Sequence, residues 1–131
     1  AMRKYHISKA GKLEPCHANK RPCHLGYASE HFSSMAEGQA YLDKLNEETI
    51  QGEMEITNFY NSDEPEMQLF SLSKLAKSTS YLSRIEAIRN GYYSDDFLTD
   101  ENPRVRSALL ESGYGSIESK EEKDKLVSTI V

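Results

Sequence analysis

The sequence holds two cysteines and four histidines, and all six (His6, Cys16, His17, Cys23, His24 and His31) fall within its first 31 residues. Random scatter would crowd them this tightly in roughly two chains in ten thousand, so the clustering itself points to a site. Thiolate and imidazole are the donors that zinc takes in tetrahedral sets of four. Cys16 and Cys23 are the only thiols, and both belong in such a set. His31 stands just before Phe32 and a helix start, where an ion can clamp loop to helix. His6 lies in Tyr5-His6-Ile7, a short strand with its apolar residues on one face. The expected ligands are therefore His6, Cys16, Cys23 and His31, separated by nine, six and seven intervening residues. A standard finger places its cysteines closer together. His17 and His24, each adjacent to a cysteine, are the alternate ligands.

Three other readings compete with a structural zinc ion. The thiols can be small buried hydrophobes and the imidazoles ordinary hydrogen-bonding groups. Cys16 and Cys23 can form a disulfide. A Cys–His nucleophile would need an activated thiolate beside an oriented base, for which composition alone gives no support. The run Tyr5-His6-Ile7, Pro15-Cys16-His17-Ala18, Cys23, Gly26 and His31-Phe32, followed by a helix, resembles an N-terminal Cys/His module of uncharacterised actinobacterial and phage-associated proteins. It covers about residues 3–45. The resemblance implies His6 and His31 as ligands and places His24 where the module usually has proline. It implies no activity.

A site of this kind needs elements to hold it, and apolar material is limited. Of 131 residues, 37% are hydrophobic, mean hydropathy is -0.69, and no Trp is present. A core this small gains from a metal or a stack of repeats. Ser34 and Glu37 have capping-box spacing and open a helix over 34–45, with Ala36, Ala40, Tyr41 and Leu45 as its core stripe. Gly38 within it would permit close packing. Met54 and Ile56 alternate with polar residues and suggest a short strand pairing with the Tyr5 region. The domains are then residues 1–57, an acidic junction over 58–64, and a helical part over 65–131.

In that helical part, Pro65 suits a first helical position, with Met67, Leu69, Phe70, Leu72 and Leu75 on one face. A helix over 81–90 stops at Gly91, and Asn102-Pro103 opens the next. A shift of 22 residues superposes Arg84 on Arg106, Ile88 on Leu110, and Gly91-Tyr92 on Gly113-Tyr114. The stretch 100–106, with Ala108-Leu109-Leu110 and Gly113-Tyr114, is similar to HEAT-like and leucine-rich-repeat-variant repeats. That resemblance implies a helical stack that binds proteins and sometimes nucleic acids. A stack this short would need the metal module or a second copy, as a homo-oligomer, to cover its open end.

The expected fold class is mostly α: a small metal-stabilised loop module with one or two short strands, then a short helical repeat stack. No glycine-rich phosphate loop, nucleophile motif or HExxH is present, which argues for a non-catalytic chain. No apolar run suits a membrane span or signal peptide, so the cytoplasm is the expected compartment. Residues 1–31 carry six Lys/Arg against two carboxylates, and the remainder carries ten against nineteen. A protein partner is therefore expected. The alternative is nucleic acid bound through Lys20 and Arg21 of the basic head, with Arg104 and Arg106 as further phosphate contacts. Asp100 and Glu101 would instead hold that second pair in place.

Overall fold

The computed structural model describes residues 4–18, 22–61 and 65–114, with the main chain alone over 65–70. Strands β1 (Tyr5–Ser8), β2 (Leu13–Pro15) and β3 (Gly26–Phe32) precede helices α1 (Met35–Tyr60), α2 (Pro65–Ala76), α3 (Tyr81–Arg89) and α4 (Pro103–Glu111). A 3₁₀ turn over Asp95–Thr99 separates the last two. The fold is mostly helical, with one small antiparallel sheet ahead of the helices. Two compact units divide the chain, Ala1–Glu47 and Glu48–Val131.

In the first unit β1 is the central strand of the order β2-β1-β3. Its hairpin to β2 closes tightly at Gly11, whose φ of 92 suits only glycine without strain. The Ser8 hydroxyl accepts the Lys12 amide across that turn at 3.0 Å. Side chains alternate across a strand, so β1 sends His6 to one face and Ile7 to the other. Ile7 pairs with Leu13 and is fully buried, while His6 pairs with Glu14 on one side and His31 on the other.

Helix α1 covers the Ile7 face. A Cβ built at Gly38 would lie 2.6 Å from the Leu13 side-chain end and 3.3 Å from Phe32, so a larger residue there would have to displace Leu13. Phe32 packs on Tyr41 with ring centroids 5.3 Å apart, and the Tyr41 hydroxyl donates to the buried Glu30 carboxylate at 2.8 Å. The packed stripe is thus Gly38, Tyr41 and Leu45. Ala36 and Ala40, expected in the stripe, are exposed because the glycine contact sets the rotation of the helix. Half of the expected capping box forms. Ser34 Oγ accepts the Glu37 amide at 3.3 Å, while the Glu37 carboxylate takes the Ser33 hydroxyl at 3.1 Å.

The strand expected at Met54 and Ile56 does not form, because α1 runs unbroken through both. Their alternation is overridden by a Glu- and Gln-rich helical run without proline, and the partners of β1 are β2 and β3. Residues 58–60 of the expected junction are helical, and 62–64 lie outside the described residues.

In the second unit Gly52 is again a site of close approach. A Cβ there would overlap Ser80 Oγ and stand 2.7 Å from Leu82. Leu72, Leu75, Ile85, Ile88, Phe97, Val105 and Leu109 supply the core. Of the expected α2 face, Met67, Leu69 and Phe70 have side chains outside the described set. Helix α3 ends in a Schellman motif at Gly91 (φ 90), where Tyr92 N–H reaches the Ala87 carbonyl and Gly91 N–H the Ile88 carbonyl. Helix α4 has the same length, starts 22 residues later and is followed by Gly113 at φ 87. Asn102 caps it through its side chain, accepting the Arg104 amide at 2.9 Å, with Pro103 at the first position.

Candidate metal centre

Each of the four candidate side chains arrives from a different local device. His6 hangs from the middle of β1, and His31 comes from β3 directly across the ladder. Their rings meet edge to face with centroids 5.5 Å apart. Cys16 follows the end of β2, where its amide donates to the Lys4 carbonyl at 2.9 Å. Cys23 precedes the bend that enters β3 at Gly26. One ligand atom from each of His6, Cys16, Cys23 and His31 lies within 4.8 Å of every other. The group can hold a metal ion, and no other such group occurs among the described residues.

Burial and hydrogen bonding agree with that reading. His6 is only 1% exposed. Its Nδ1 stands 3.5 Å from Cys23 Sγ, and its Nε2 lies 3.7 Å from Glu14 Oε1. The ring therefore presents Nδ1 to the cluster, while Nε2 faces the Glu14 carboxylate beyond hydrogen-bond distance and is buried without a hydrogen-bond partner. Both ring nitrogens of His31 are buried without a well-formed hydrogen bond. Buried polar atoms are seldom left so, and a bound cation would supply a partner for one of the two nitrogens. Partial burial alone would push the Cys23 thiol up. The neighbouring His31 ring, the backbone at Gly26 and Leu25, and the Cys16 side chain outweigh it and bring the thiol down to about 7. Cys23 is thus poised toward thiolate, the form that ligates. Cys16 and Cys23 are not joined by a disulfide.

Two residues of the centre are missing from the sequence-based list. Glu14 faces His6 Nε2 at 3.7 Å, a placement that follows from the His6–Glu14 register, which spacing alone does not reveal. Gly26 passes so close to β1 that an added Cβ would stand 2.8 Å from the Ile7 carbonyl and 3.3 Å from the His6 ring. A glycine three residues after a cysteine was the available signal. The alternates His17 and His24 are exposed and stay outside the four-residue group. They line a neighbouring cavity of about 330 Å³ with His6, Cys23 and Leu25.

Of the four expected phosphate contacts, Lys20 and Arg21 lie outside the described residues. Arg104 packs over the Tyr81 ring, 5.9 Å from its centroid. Arg106 donates to the Asp100 main-chain carbonyl. The Asp100 carboxylate is taken instead by Arg84, through two hydrogen bonds of 2.8 and 3.0 Å with both partners largely buried. The corner before α4 is therefore pinned by an arginine one 22-residue step earlier than expected. No described helix is long and apolar enough to cross a membrane. No protein-family model, curated protein or solved structure matches the chain.

Proposed function

We propose that this chain is a non-catalytic protein-interaction protein whose N-terminal unit is held by a structural zinc ion. The observation that carries the reading is the convergence of two thiols and two imidazoles in one group. Tetrahedral zinc with bonds of about 2.0–2.3 Å sets its donors roughly 3.3–3.8 Å apart. The 3.5 Å between His6 Nδ1 and Cys23 Sγ already falls in that range. Four protein donors fill the coordination sphere, leaving no position for a substrate or a reactive water, which favours a structural over a catalytic ion. Glu14 then acts behind His6, and the bend after Cys23 feeds its thiolate with hydrogen bonds.

The helical unit is the binding part in this proposal. Equal lengths of α3 and α4, their 22-residue offset and their matching glycine ends support a HEAT-like pair of repeats. Protein purified without nickel resin should contain about one zinc per chain by elemental analysis. A value near zero, with both thiols free to react, would remove the structural-zinc reading.

A further inference from the structure

Four donors converge at the metal centre, but the main chain holds them unequally. His6 and His31 stand on paired strands, fixed by the β1–β3 ladder. Cys16 and Cys23 lie on irregular main chain, the one after β2 and the other before β3. Both are free, half-buried thiols, and their sulfurs lie within 4.8 Å of one another. A disulfide sets its sulfurs about 2.05 Å apart. The gap that remains is under about 3 Å, within what a rotation between staggered side-chain positions moves a sulfur. The thiols can therefore close on each other while the ladder keeps both imidazoles in place.

The two sulfurs also differ in access. Cys23 lines the neighbouring cavity of about 330 Å³, and Cys16 is not among the described residues that line it. The exposed His17, His24 and Leu25 complete its wall, so the cavity communicates with solvent. Its size suits a small solute, and the imidazoles in its wall can donate to or accept from one. Cysteines that sense oxidants are accessible thiolates with a second cysteine beside them, and ligation to a metal keeps a sulfur deprotonated. We propose that Cys23 and Cys16 form an oxidation site for small hydroperoxides, closing into an intramolecular disulfide that discharges the metal ion. The Cys23 sulfur attacks one peroxide oxygen. An S–O bond forms, the O–O bond breaks, and the departing hydroxide or alkoxide takes a proton from water. The Cys16 thiolate then attacks the Cys23 sulfur, forming S–S and expelling hydroxide, which is protonated in turn. Two thiolates have lost two electrons, and the peroxide has been reduced to water or to water and an alcohol. His6 and His31 alone remain as protein donors, half of what a structural zinc ion takes. The discharge rests on the structural-zinc reading and adds a chemical control to that same site.

The test uses the full zinc-loaded chain, hydrogen peroxide and a chromogenic chelator, read against a control without peroxide. One zinc should be released for each chain that becomes two hydrogens lighter by intact mass. A dithiol reductant should restore both the thiols and zinc binding. Dimedone, which traps sulfenic acids, should label Cys23 about tenfold more than Cys16 when present during oxidation. Cys16→Ser should raise the label on Cys23, because the thiol that resolves it is gone. Should that variant fail to fold, the labelling ratio in the parent decides alone. Disulfides between chains, equal labelling of the two cysteines, or zinc retained by chains that carry the disulfide would each overturn the proposal. Thiols that stay reduced while glutathione in the same solution is oxidised would overturn it too. That last result with one zinc per chain leaves the structural-zinc reading standing. A zinc-free chain that still closes the disulfide supports the oxidation site and overturns the zinc reading alone.

Discussion

A methyl group added at Gly26 has nowhere to go. The Ile7 carbonyl oxygen is backbone and cannot swing aside, and the His6 ring behind it is a candidate ligand. Gly26→Ala should therefore cost about 1–3 kcal/mol, as overpacking of a well-filled site does. It should also move His6 and weaken metal binding. Glu14→Gln is the useful contrast. It keeps the volume and removes only the charge facing His6 Nε2 at 3.7 Å. Loss of such a carboxylate behind a ligand lowers metal affinity by about tenfold. Competition with a chromogenic chelator, alongside thermal melts, separates the two. Gly26→Ala should lower both affinity and melting temperature of the metal-free chain, and Glu14→Gln only the affinity. A metal-free Gly26→Ala chain as stable as the parent would remove the steric account.

The helices of the second unit meet through side chains that accept and donate in small closed sets. Glu55 is the clearest case. Its carboxylate takes hydroxyl hydrogens from Ser78 at 2.5 Å and Ser83 at 2.6 Å, and Gln51 donates to its other oxygen at 3.2 Å. Burial would raise its pKa, but these three donors outweigh burial and hold it below the usual carboxylate range. A carboxylate whose pKa is lowered by folding stabilises the fold above its unfolded pKa, and that contribution fades as pH falls through the folded value. Glu55→Gln should destabilise the chain at neutral pH, and the gap from the parent should narrow in acid. Urea unfolding of both chains across that range measures it. A gap that stays constant with pH would mean that shape rather than charge matters at this position.

At the scale of the molecule, the chain divides its folding work unevenly. Among the described residues the first unit buries two apolar side chains, Ile7 and Leu45, whereas the second buries a dozen. Metal binding to so small a core is folding energy. An excess of chelator should therefore expose the amides of Tyr5–Ser8, Leu13–Pro15 and Gly26–Phe32 to rapid hydrogen exchange. Protection that survives chelation would show that the sheet stands without an ion. This division also explains what could be read in advance. Helix ends carry local signals, so Pro65, Gly91, Asn102-Pro103 and Gly113 mark boundaries close to where they fall. The four candidate ligands were legible because thiols and imidazoles are scarce in this sequence. Strand β3 was not, since Gly26–Phe32 lacks clean alternation of buried and exposed positions. Without β3 and its register, Glu14 and Gly26 had no visible tie to His6. Helix α1 was cut short at residue 45 because Met54 and Ile56, alternating with polar residues, suggested a strand where the helix continues.

The central strand has one further consequence, which concerns how the chain reaches its fold rather than what it then does. A slip of β1 by one residue would exchange His6 and Ile7 between the faces of the sheet. The misaligned hairpin would still make backbone hydrogen bonds, but it would turn the buried Ile7 out of its core. An ion that demands His6 beside Cys23 cannot be satisfied by that alignment. In the proposed reading, metal capture would add to the burial of Ile7 in selecting the correct strand alignment.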